Sequence, residues 1–326
     1  MKHPGWLLAV AGFALAAFLF AHEDPGTIVE LLASAGAGLV LAALCHVFSM
    51  ILNARAWQVL MPSDSQPSLA AMTLAVWVRE SVNGLLPVAR IGGEIVSFRV
   101  LVRARVSSAI AAASLMVDMA LSAMSQMAFA LVGVLLLMRA GTNTGLAFQI
   151  TVGLAALVPL VAIFIAVQRG GIFTALAKMF DRLFAGRLSA LIPDSQEADR
   201  AVNAMYARRG AIVSCFLWQC AGWVAGAAQI WVAAYFLGHP LSVLDAVAIE
   251  ALIQAVSSAA FVIPGALGVQ EGAFILAGAA VGLDAPASLA LAASRRVRDL
   301  VIFFPGLAAW SLLERNRGPL NRDATS

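Results

Sequence analysis

The sequence has few charged residues and no long polar stretch, and this scarcity excludes most classes of soluble protein. Only 12% of its 326 residues are charged, whereas 61% are hydrophobic and the mean hydropathy is +0.89. A soluble globular domain does not need so much apolar surface. The most polar stretch, about residues 169–209, is too short and too amphipathic for an independent enzyme domain. The composition therefore predicts an all-α polytopic membrane protein with one integral membrane domain, residues 1–326.

Residues that usually carry catalysis or bind metals are also scarce. The three cysteines, Cys45, Cys215 and Cys220, fall in apolar segments without metal-ligand spacing, so we predict buried free thiols. The sequence contains no GxSxG or HExxH motif, no Cys/His cluster and no nucleotide-binding loop. We therefore predict that the protein is not an enzyme, uses no cofactor or metal, binds no nucleic acid and consumes no ATP.

Apolar stretches long enough to cross a membrane recur along the chain. Six are predicted to be single transmembrane helices, and the third and seventh are predicted to be re-entrant or broken hairpins. In chain order the stretches are residues 5–22, 28–53, 69–101, 107–138, 146–168, 210–237, 242–283 and 286–313. A cleaved signal peptide is the alternative for the first stretch. A retained helix is favoured because more apolar sequence follows at once.

Two of these stretches are interrupted by similar segments rich in proline and glycine. The first is NGLLPVARIGGE, residues 83–94, and the second is FVIPGALGVQEG, residues 261–272. In each segment a glutamate, Glu94 or Glu271, follows the proline after seven residues. Such breaks are tolerated in a membrane only where they are buried in protein or line a wet cavity. The predicted helix-breaking residues are Pro87, Gly92, Gly93, Pro264, Gly265 and Gly268.

The basic residues of the loops are distributed unevenly. With the N-terminus in the cytoplasm, the loop arginines and lysines fall on the cytoplasmic side, and Arg139 is the exception. This orientation makes the two hairpins enter the membrane from opposite faces and leaves both termini in the cytoplasm. The sequence thus predicts an inverted repeat of residues 28–138 and 210–313. The alternative is that the two Gly/Pro segments resemble each other by chance. Beyond the proline-to-glutamate spacing, the similarity of the two units is weak and consists of Asp118 and Arg295, which each lie 24 residues after the glutamate.

Residues 169–209 form the predicted cytoplasmic connector between the repeats. Within it, residues 171–190 place apolar side chains at helical spacing with basic side chains between them. This pattern is typical of an amphipathic helix that lies on the inner leaflet. A helix packed under the transmembrane bundle is an equally good alternative.

Ionisable residues inside apolar stretches are candidates for function, because their burial in hydrocarbon is costly. We expect them to line a polar cavity between the repeats. Arg90 and the arginines at 295–298 are predicted to bind a lipid phosphate, and Glu94 and Glu271 to balance them or relay protons. The predicted substrate-binding residues are Arg79, Glu80, Asn83, Arg90, Glu94, Asp118, Glu250, Gln270, Glu271, Arg295, Arg296, Arg298 and Asp299.

A structural role is the alternative for these charges. Arg90 and Glu94 are one helical turn apart and suited to pair with each other, and Arg298 is a candidate to pair with the neighbours of Asp299 or to neutralise Asp118. For His46, which lies in the middle of a predicted span, a hydrogen bond between helices is favoured over a ligand role. The tryptophans are interpreted mostly as interface or packing residues.

Four segments carry a likeness to a known family. They are NARAWQVL (53–60), WVRESVNGLLPVARIGGEIVSFRVL (77–101), IPGALGVQEGAF (263–274) and SRRVRDLVIFFPGLAAW (294–310). With these segments the chain resembles the lysylphosphatidylglycerol synthase transmembrane-region family of flippase-like proteins, and especially its hopanoid-biosynthesis-associated branch. The resemblance implies a bacterial inner-membrane protein with two re-entrant repeats. In relatives that also carry a cytoplasmic domain, this region moves an aminoacylated phospholipid between leaflets, and the cytoplasmic domain synthesises that lipid. No such domain is seen in this sequence, so we expect that it does not synthesise lysylphosphatidylglycerol.

Together these features predict lipid translocation of the flippase or scramblase type. The expected substrate is an anionic or modified phospholipid, or a lipid of the hopanoid pathway. Two alternatives stay open: an intramembrane lipid-modifying enzyme with Glu94 or Glu271 as the base, and an accessory or scaffold subunit of hopanoid biosynthesis. The expected partners are the membrane lipid and enzymes of lipid biosynthesis, and the sequence also allows a homo-oligomer.

Overall fold

A computed structural model describes residues 13–15, 17–86, 92–139, 159, 161–171, 173–174, 195–259, 263 and 266–315. These residues form helices joined by short turns, with no strand among them. Three of the helices are long and apolar enough to cross a membrane, namely Ala37–Gln58, Ser108–Met138 and Arg209–Phe236. The chain is therefore an all-α membrane protein. The count of six full spans and two hairpins stays a prediction, because half of stretch 5–22 and most of stretch 146–168 lie outside the described residues.

The helices of the first half follow the predicted apolar stretches, with one division. They are α1 (Pro25–Ala35), α2 (Ala37–Gln58), α3 (Leu69–Leu85), α4 (Gly92–Arg103) and α5 (Ser108–Arg139). The predicted single span over residues 28–53 is divided at Gly36, where φ is +47° and the chain leaves helical geometry. α1 begins where the carboxylate of Asp24 accepts hydrogen bonds from the N–H groups of Gly26 and Thr27.

The second half follows the connector and ends in an irregular helix. The elements are α6 (Ser195–Ala207), α7 (Arg209–Phe236), α8 (Val243–Ala259), α9 (Val269–Ala280), α10 (Ala285–Arg298), a π-helical segment (Asp299–Phe303) and α11 (Phe304–Arg315). The predicted span over 286–313 is thus one continuous helix with a widened turn. Pro305 has no N–H to donate to the carbonyl of Val301, which explains why regular α-helical bonding fails there.

Only the last part of the connector is described in detail. Apart from residues 171, 173 and 174, the predicted amphipathic segment 171–190 lies outside the described residues. α6 buries its apolar face against α5. The carboxylate of Asp199 accepts hydrogen bonds from the N–H groups of Phe173 and Thr174, at 3.0 and 2.9 Å. The described part of the connector therefore packs against the bundle.

The two halves pack with reciprocal contacts. α2 lies along α7, α5 packs on α8, and in return α3 packs on the π segment and α11. At the α2–α7 contact, Ser49 Oγ donates a hydrogen bond of 2.7 Å to the carbonyl of Gly222, and a Cβ at Gly222 would overlap the side chain of Asn53. Exchange of the halves reproduces this set of contacts, as a repeat requires. The orientation of the two units in the membrane stays a prediction.

Small residues make the two reciprocal contacts close. A Cβ at Gly133 of α5 would overlap the methyl group of Ala251 on α8. On the other side, Gly306 of α11 lies directly against α3, and Trp77 Nε1 of α3 donates a hydrogen bond of 2.7 Å to the carbonyl of Ile302. Small residues of this kind let helices approach where lipid gives no hydrophobic driving force. The polar side chains that lie between these contacts form the site described next.

Candidate functional site

A polar cavity of about 390 Å³ lies where the two halves meet. Its walls come from helices of both halves and from the π segment. The predicted residues that line it are Arg79, Glu80, Asn83, Glu94, Asp118, Glu250, Gln270, Arg295, Arg296, Arg298 and Asp299. Glu271 lies beside the cavity, where it binds a lining arginine. Arg90, Pro87, Pro264 and Gly265 lie outside the described residues. The predicted charged side chains thus converge, from sequence positions more than 200 residues apart.

Arg79 of α3 is the centre of the charged cluster in the first half. Its Nη1 donates a hydrogen bond of 2.9 Å to Asp118 Oδ2 and lies 3.8 Å from Glu94 Oε2. Gln219 of α7 donates to the other oxygen of Asp118, at 2.9 Å. Asp118 is therefore neutralised by Arg79 and not by Arg298, which the sequence offered as its partner. The pair joins α3 to α5 across the cavity wall.

The first break is organised by Asn83 and two glycines. The N–H of Gly93 donates a hydrogen bond of 2.9 Å to Asn83 Oδ1, and Asn83 Nδ2 donates one of 3.4 Å to Glu94 Oε1. A Cβ at Gly93 would overlap the carbonyl oxygen of Arg79 and the amide of Asn83. Gly92 is the first residue of α4. The break glycines thus let α4 begin directly against α3, which places Glu94 beside Arg79.

The second half contains a fully buried ion pair. Arg295 of α10 donates from Nη2 to Glu250 Oε2 on α8, and each side chain is only 4% exposed. Gln254 donates a hydrogen bond of 2.6 Å to the other oxygen of Glu250. Nearby, Gln270 Nε2 donates to Ser257 Oγ at 2.8 Å. The pair joins α8 to α10 as the Arg79 pair joins α3 to α5.

Glu271 has two contacts at the second break. Its Oε2 accepts a hydrogen bond of 2.7 Å from the N–H of Gly268, whose φ is +76°, and this closes the first turn of α9. Its Oε1 accepts one of 2.7 Å from Arg296 Nη2, and Arg296 also lies 3.3 Å from Asp299. Glu271 therefore stabilises the break and holds a cavity arginine. A glycine suits position 268 because a positive φ strains other residues.

Aromatic rings support three of the cavity arginines. The guanidinium carbon of Arg79 lies 5.0 Å from the centre of the Trp57 ring. Those of Arg295 and Arg298 lie 5.5 Å and 4.7 Å from the rings of Phe274 and Phe303. Cation–π contacts of this kind hold planar guanidinium groups in place. Arg298 also donates to Asp299 Oδ1 from both Nε and Nη2, at 3.1 and 2.7 Å.

Sequence reasoning missed several polar lining residues. His46 Nε2 lies 2.8 Å from Glu80 Oε2, so the predicted hydrogen bond between helices is confirmed, but His46 also lines the cavity. Trp57, interpreted as a packing residue, is also the platform for Arg79. On α5, Ser122 and Gln126 repeat the four-residue spacing that begins at Asp118, and this spacing is the signal that identifies them. The other missed polar lining residues are Ser49, Asn53 and Gln219.

The described residues contain no group of three or more His, Cys, Asp and Glu side chains placed to hold a metal ion. The three cysteines are free, but only Cys215 is buried, whereas Cys45 and Cys220 are half-buried. Fold and site together define a helical membrane protein with a charged cavity between its two halves.

Comparison with known families agrees with this class. Residues 6–306 match the family model of the lysylphosphatidylglycerol synthase TM region. The chain therefore belongs to this family. Neither a comparison with curated proteins nor one with solved structures finds a match. The hopanoid-associated branch stays a prediction.

Proposed function

We propose that the protein translocates lipids between the two leaflets of the bacterial inner membrane, as a flippase or scramblase. The observation that carries this proposal is the cavity of about 390 Å³, lined by arginines and carboxylates from both halves of a membrane protein. Membership in the lysylphosphatidylglycerol synthase TM family adds support, because it links the chain to membrane lipids.

The physical reason is the cost of moving a polar headgroup through hydrocarbon. Charged groups without partners are strongly disfavoured there. A cavity with fixed charges replaces the water that a headgroup loses, while the acyl chains stay in the lipid. The volume lies near the lower end of the range for ligand pockets. It therefore suits a headgroup better than a whole lipid.

The reciprocal contacts of the two halves support a transport cycle. In transporters with inverted repeats, two similar units enclose a midplane site and rock to open it to either side. Here the first helix of each hairpin packs on the opposite half: α3 contacts the π segment and α11, and α8 contacts α5. We propose that the hairpins enter from opposite faces and that both termini are cytoplasmic. The substrate class from the sequence, an anionic or modified phospholipid or a hopanoid-pathway lipid, is the starting point for assays.

Reconstitution tests the proposal directly. Purified protein in vesicles that contain acyl-labelled fluorescent lipids should speed exchange between leaflets, measured by quenching of the outer leaflet. Arg296→Gln should slow exchange by about tenfold or more, because it leaves Glu271 and Asp299 without this partner. Arg99→Gln is the matched control: its side chain is half exposed, pairs with Glu314 and lies away from the cavity. Exchange no faster than in protein-free vesicles, for every lipid tested, would contradict the proposal.

A further inference from the structure

The charges around the cavity do not favour an anionic ligand. Its five described lining carboxylates, with Glu271 beside it, outnumber its four described guanidinium groups, and His46, 2.8 Å from Glu80, balances at most one of them. The carboxylates are Glu80, Glu94, Asp118, Glu250, Glu271 and Asp299, and the arginines are Arg79, Arg295, Arg296 and Arg298. A headgroup that carries only negative charge would add to this excess.

The cavity arginines are also already paired. Arg79 binds Asp118, and Arg295 binds Glu250, in pairs that are largely buried. A phosphate that takes one of these arginines leaves its former carboxylate buried without a cation. An uncompensated buried charge is strongly unfavourable. A headgroup that also carries an ammonium group removes this penalty, because the ammonium can take the freed carboxylate.

The guanidinium group of Arg295 has one hydrogen-bond donor without a partner among the described residues. The Nε atom of Arg295 is buried and has no hydrogen-bond partner among the described residues, although Nη2 of the same group binds Glu250. Its guanidinium group is held against the ring of Phe274, 5.5 Å from the ring centre. A fixed planar group with an unused donor is well suited to a phosphate, because two phosphate oxygens can bind Nε and Nη2 together, and the contact with Nη2 displaces Glu250. Glu250, paired with it and also lining the cavity, is then the natural partner for an ammonium group.

We propose that the site selects a zwitterionic phospholipid headgroup, with its phosphate on Arg295 and its ammonium on Glu250. This inference rests on the proposed lipid translocation and names the substrate class of the same cavity. The headgroup replaces each charge of the opened pair with one of the same sign, so no buried charge is left alone. Headgroups with the phosphate alone or the ammonium alone leave one member of the pair unpaired.

Three labelled lipids with identical acyl chains separate these cases in reconstituted vesicles. They are phosphatidylethanolamine, its N-acetylated form, which keeps the phosphate and loses the ammonium charge, and a diacyl trimethylammonium lipid without phosphate. Phosphatidylethanolamine should exchange at least about tenfold faster than either, since each of the other two lipids leaves a buried charge unpaired. Equal rates for all three would overturn the selectivity and leave translocation intact. No exchange of any lipid would overturn translocation itself.

Glu250 variants test the ammonium contact. Glu250→Gln should reduce the preference for phosphatidylethanolamine over its N-acetylated form by about tenfold, because it removes the charge that the ammonium needs. Glu250→Asp should keep the preference, and Glu314→Gln, outside the cavity, should change nothing. If Glu250→Gln does not fold, Glu250→Gln/Arg295→Gln removes both charges and should still lose the preference. An unchanged preference in either neutralised variant overturns the inference.

Discussion

Asp118 and Arg295 occupy corresponding positions in the two halves and carry opposite charges. Each lies 24 residues after the glutamate of its break. Each also pairs with the first helix of its own hairpin: Asp118 with Arg79 on α3, and Arg295 with Glu250 on α8. In each half an ion pair thus joins the first helix of the hairpin to the helix that follows the hairpin. The acidic and basic residues exchange positions between the two halves. Removing one member of either pair leaves a charge buried in the membrane domain.

This relationship predicts a large effect of Asp118→Asn on stability. We expect the free energy of unfolding to fall by about 3–5 kcal/mol, because Arg79 loses its closest carboxylate. The double variant Arg79→Met/Asp118→Leu should recover part of that loss, since apolar residues of similar size often replace buried ion pairs without cost, whereas Glu94 also loses Arg79 as a neighbour. Denaturant unfolding of the protein in detergent measures both values.

Lipid exchange by the same double variant separates stability from function. We expect it to be folded but slow, because the cavity has lost two charges. Full exchange by the double variant would show that the pair serves stability alone. A double variant as unstable as Asp118→Asn would contradict the account of a simple charge pair.

Gly93→Ala tests the first break. The added Cβ would overlap the backbone of α3 at Arg79, so α4 must shift. We expect a loss of stability of about 1–3 kcal/mol, as for overpacked cores, together with slower lipid exchange. Gly272→Ala in α9 is the matched control, because nothing lies within 4 Å of its added Cβ. That change should be neutral or stabilise the helix by up to about 1 kcal/mol. Equal thermal stabilities of the two variants would contradict the close contact.

Sequence patterns predict the helical class and the charged residues that line the described cavity, because charged side chains in a membrane domain have few places to lie. Charged residues inside apolar stretches must find partners, so Arg79, Asp118, Glu250 and Arg295 were identifiable without a structure. Which residues pair was not identifiable. The sequence offered Arg298 as the partner of Asp118, whereas helix packing brings Arg79 to it. Pairing depends on the approach of distant helices, and a single sequence does not encode that visibly.

The exact helix boundaries and the contacts between aromatic rings and arginines also could not be predicted from the sequence. The division at Gly36 and the π segment after Arg298 interrupt stretches that read as continuous apolar runs. Trp57 reads as an ordinary apolar residue until Arg79 is seen over its ring. A local pattern reports which residues are apolar, but it does not report what lies across a helix interface.

The contact of His46 with Glu80 predicts energetic coupling between α2 and α3. Because a hydrogen bond to a charged group contributes about 1.5–3 kcal/mol, the cycle of His46→Leu, Glu80→Gln and the double variant should give a coupling energy in that range. The cycle of His46→Leu with Glu314→Gln should be additive, since Glu314 lies on α11 and pairs with Arg99 of α4. Chemical unfolding in detergent gives all the values. An additive His46–Glu80 cycle would mean that the contact contributes nothing in solution.

The orientation of the hairpins predicts which turns reach each face of the membrane. Single cysteines replace Ser63 and Ser107, which flank the first hairpin, and Ser242 and Leu283, which flank the second, in a chain without Cys45, Cys215 and Cys220. In intact cells an impermeant maleimide should label Ser242→Cys and Leu283→Cys, while Ser63→Cys and Ser107→Cys react only after the membrane is opened. The positions of the basic loops place the turns at residues 63 and 107 in the cytoplasm. The inverted repeat then places the turns at residues 242 and 283 on the opposite side of the membrane. Ser107 and Ser242 are a matched pair, because each caps the start of a helix through its hydroxyl group. Labelling of all four positions from one side would place both hairpins on the same face, and the two-sided cavity proposed for translocation would then be wrong.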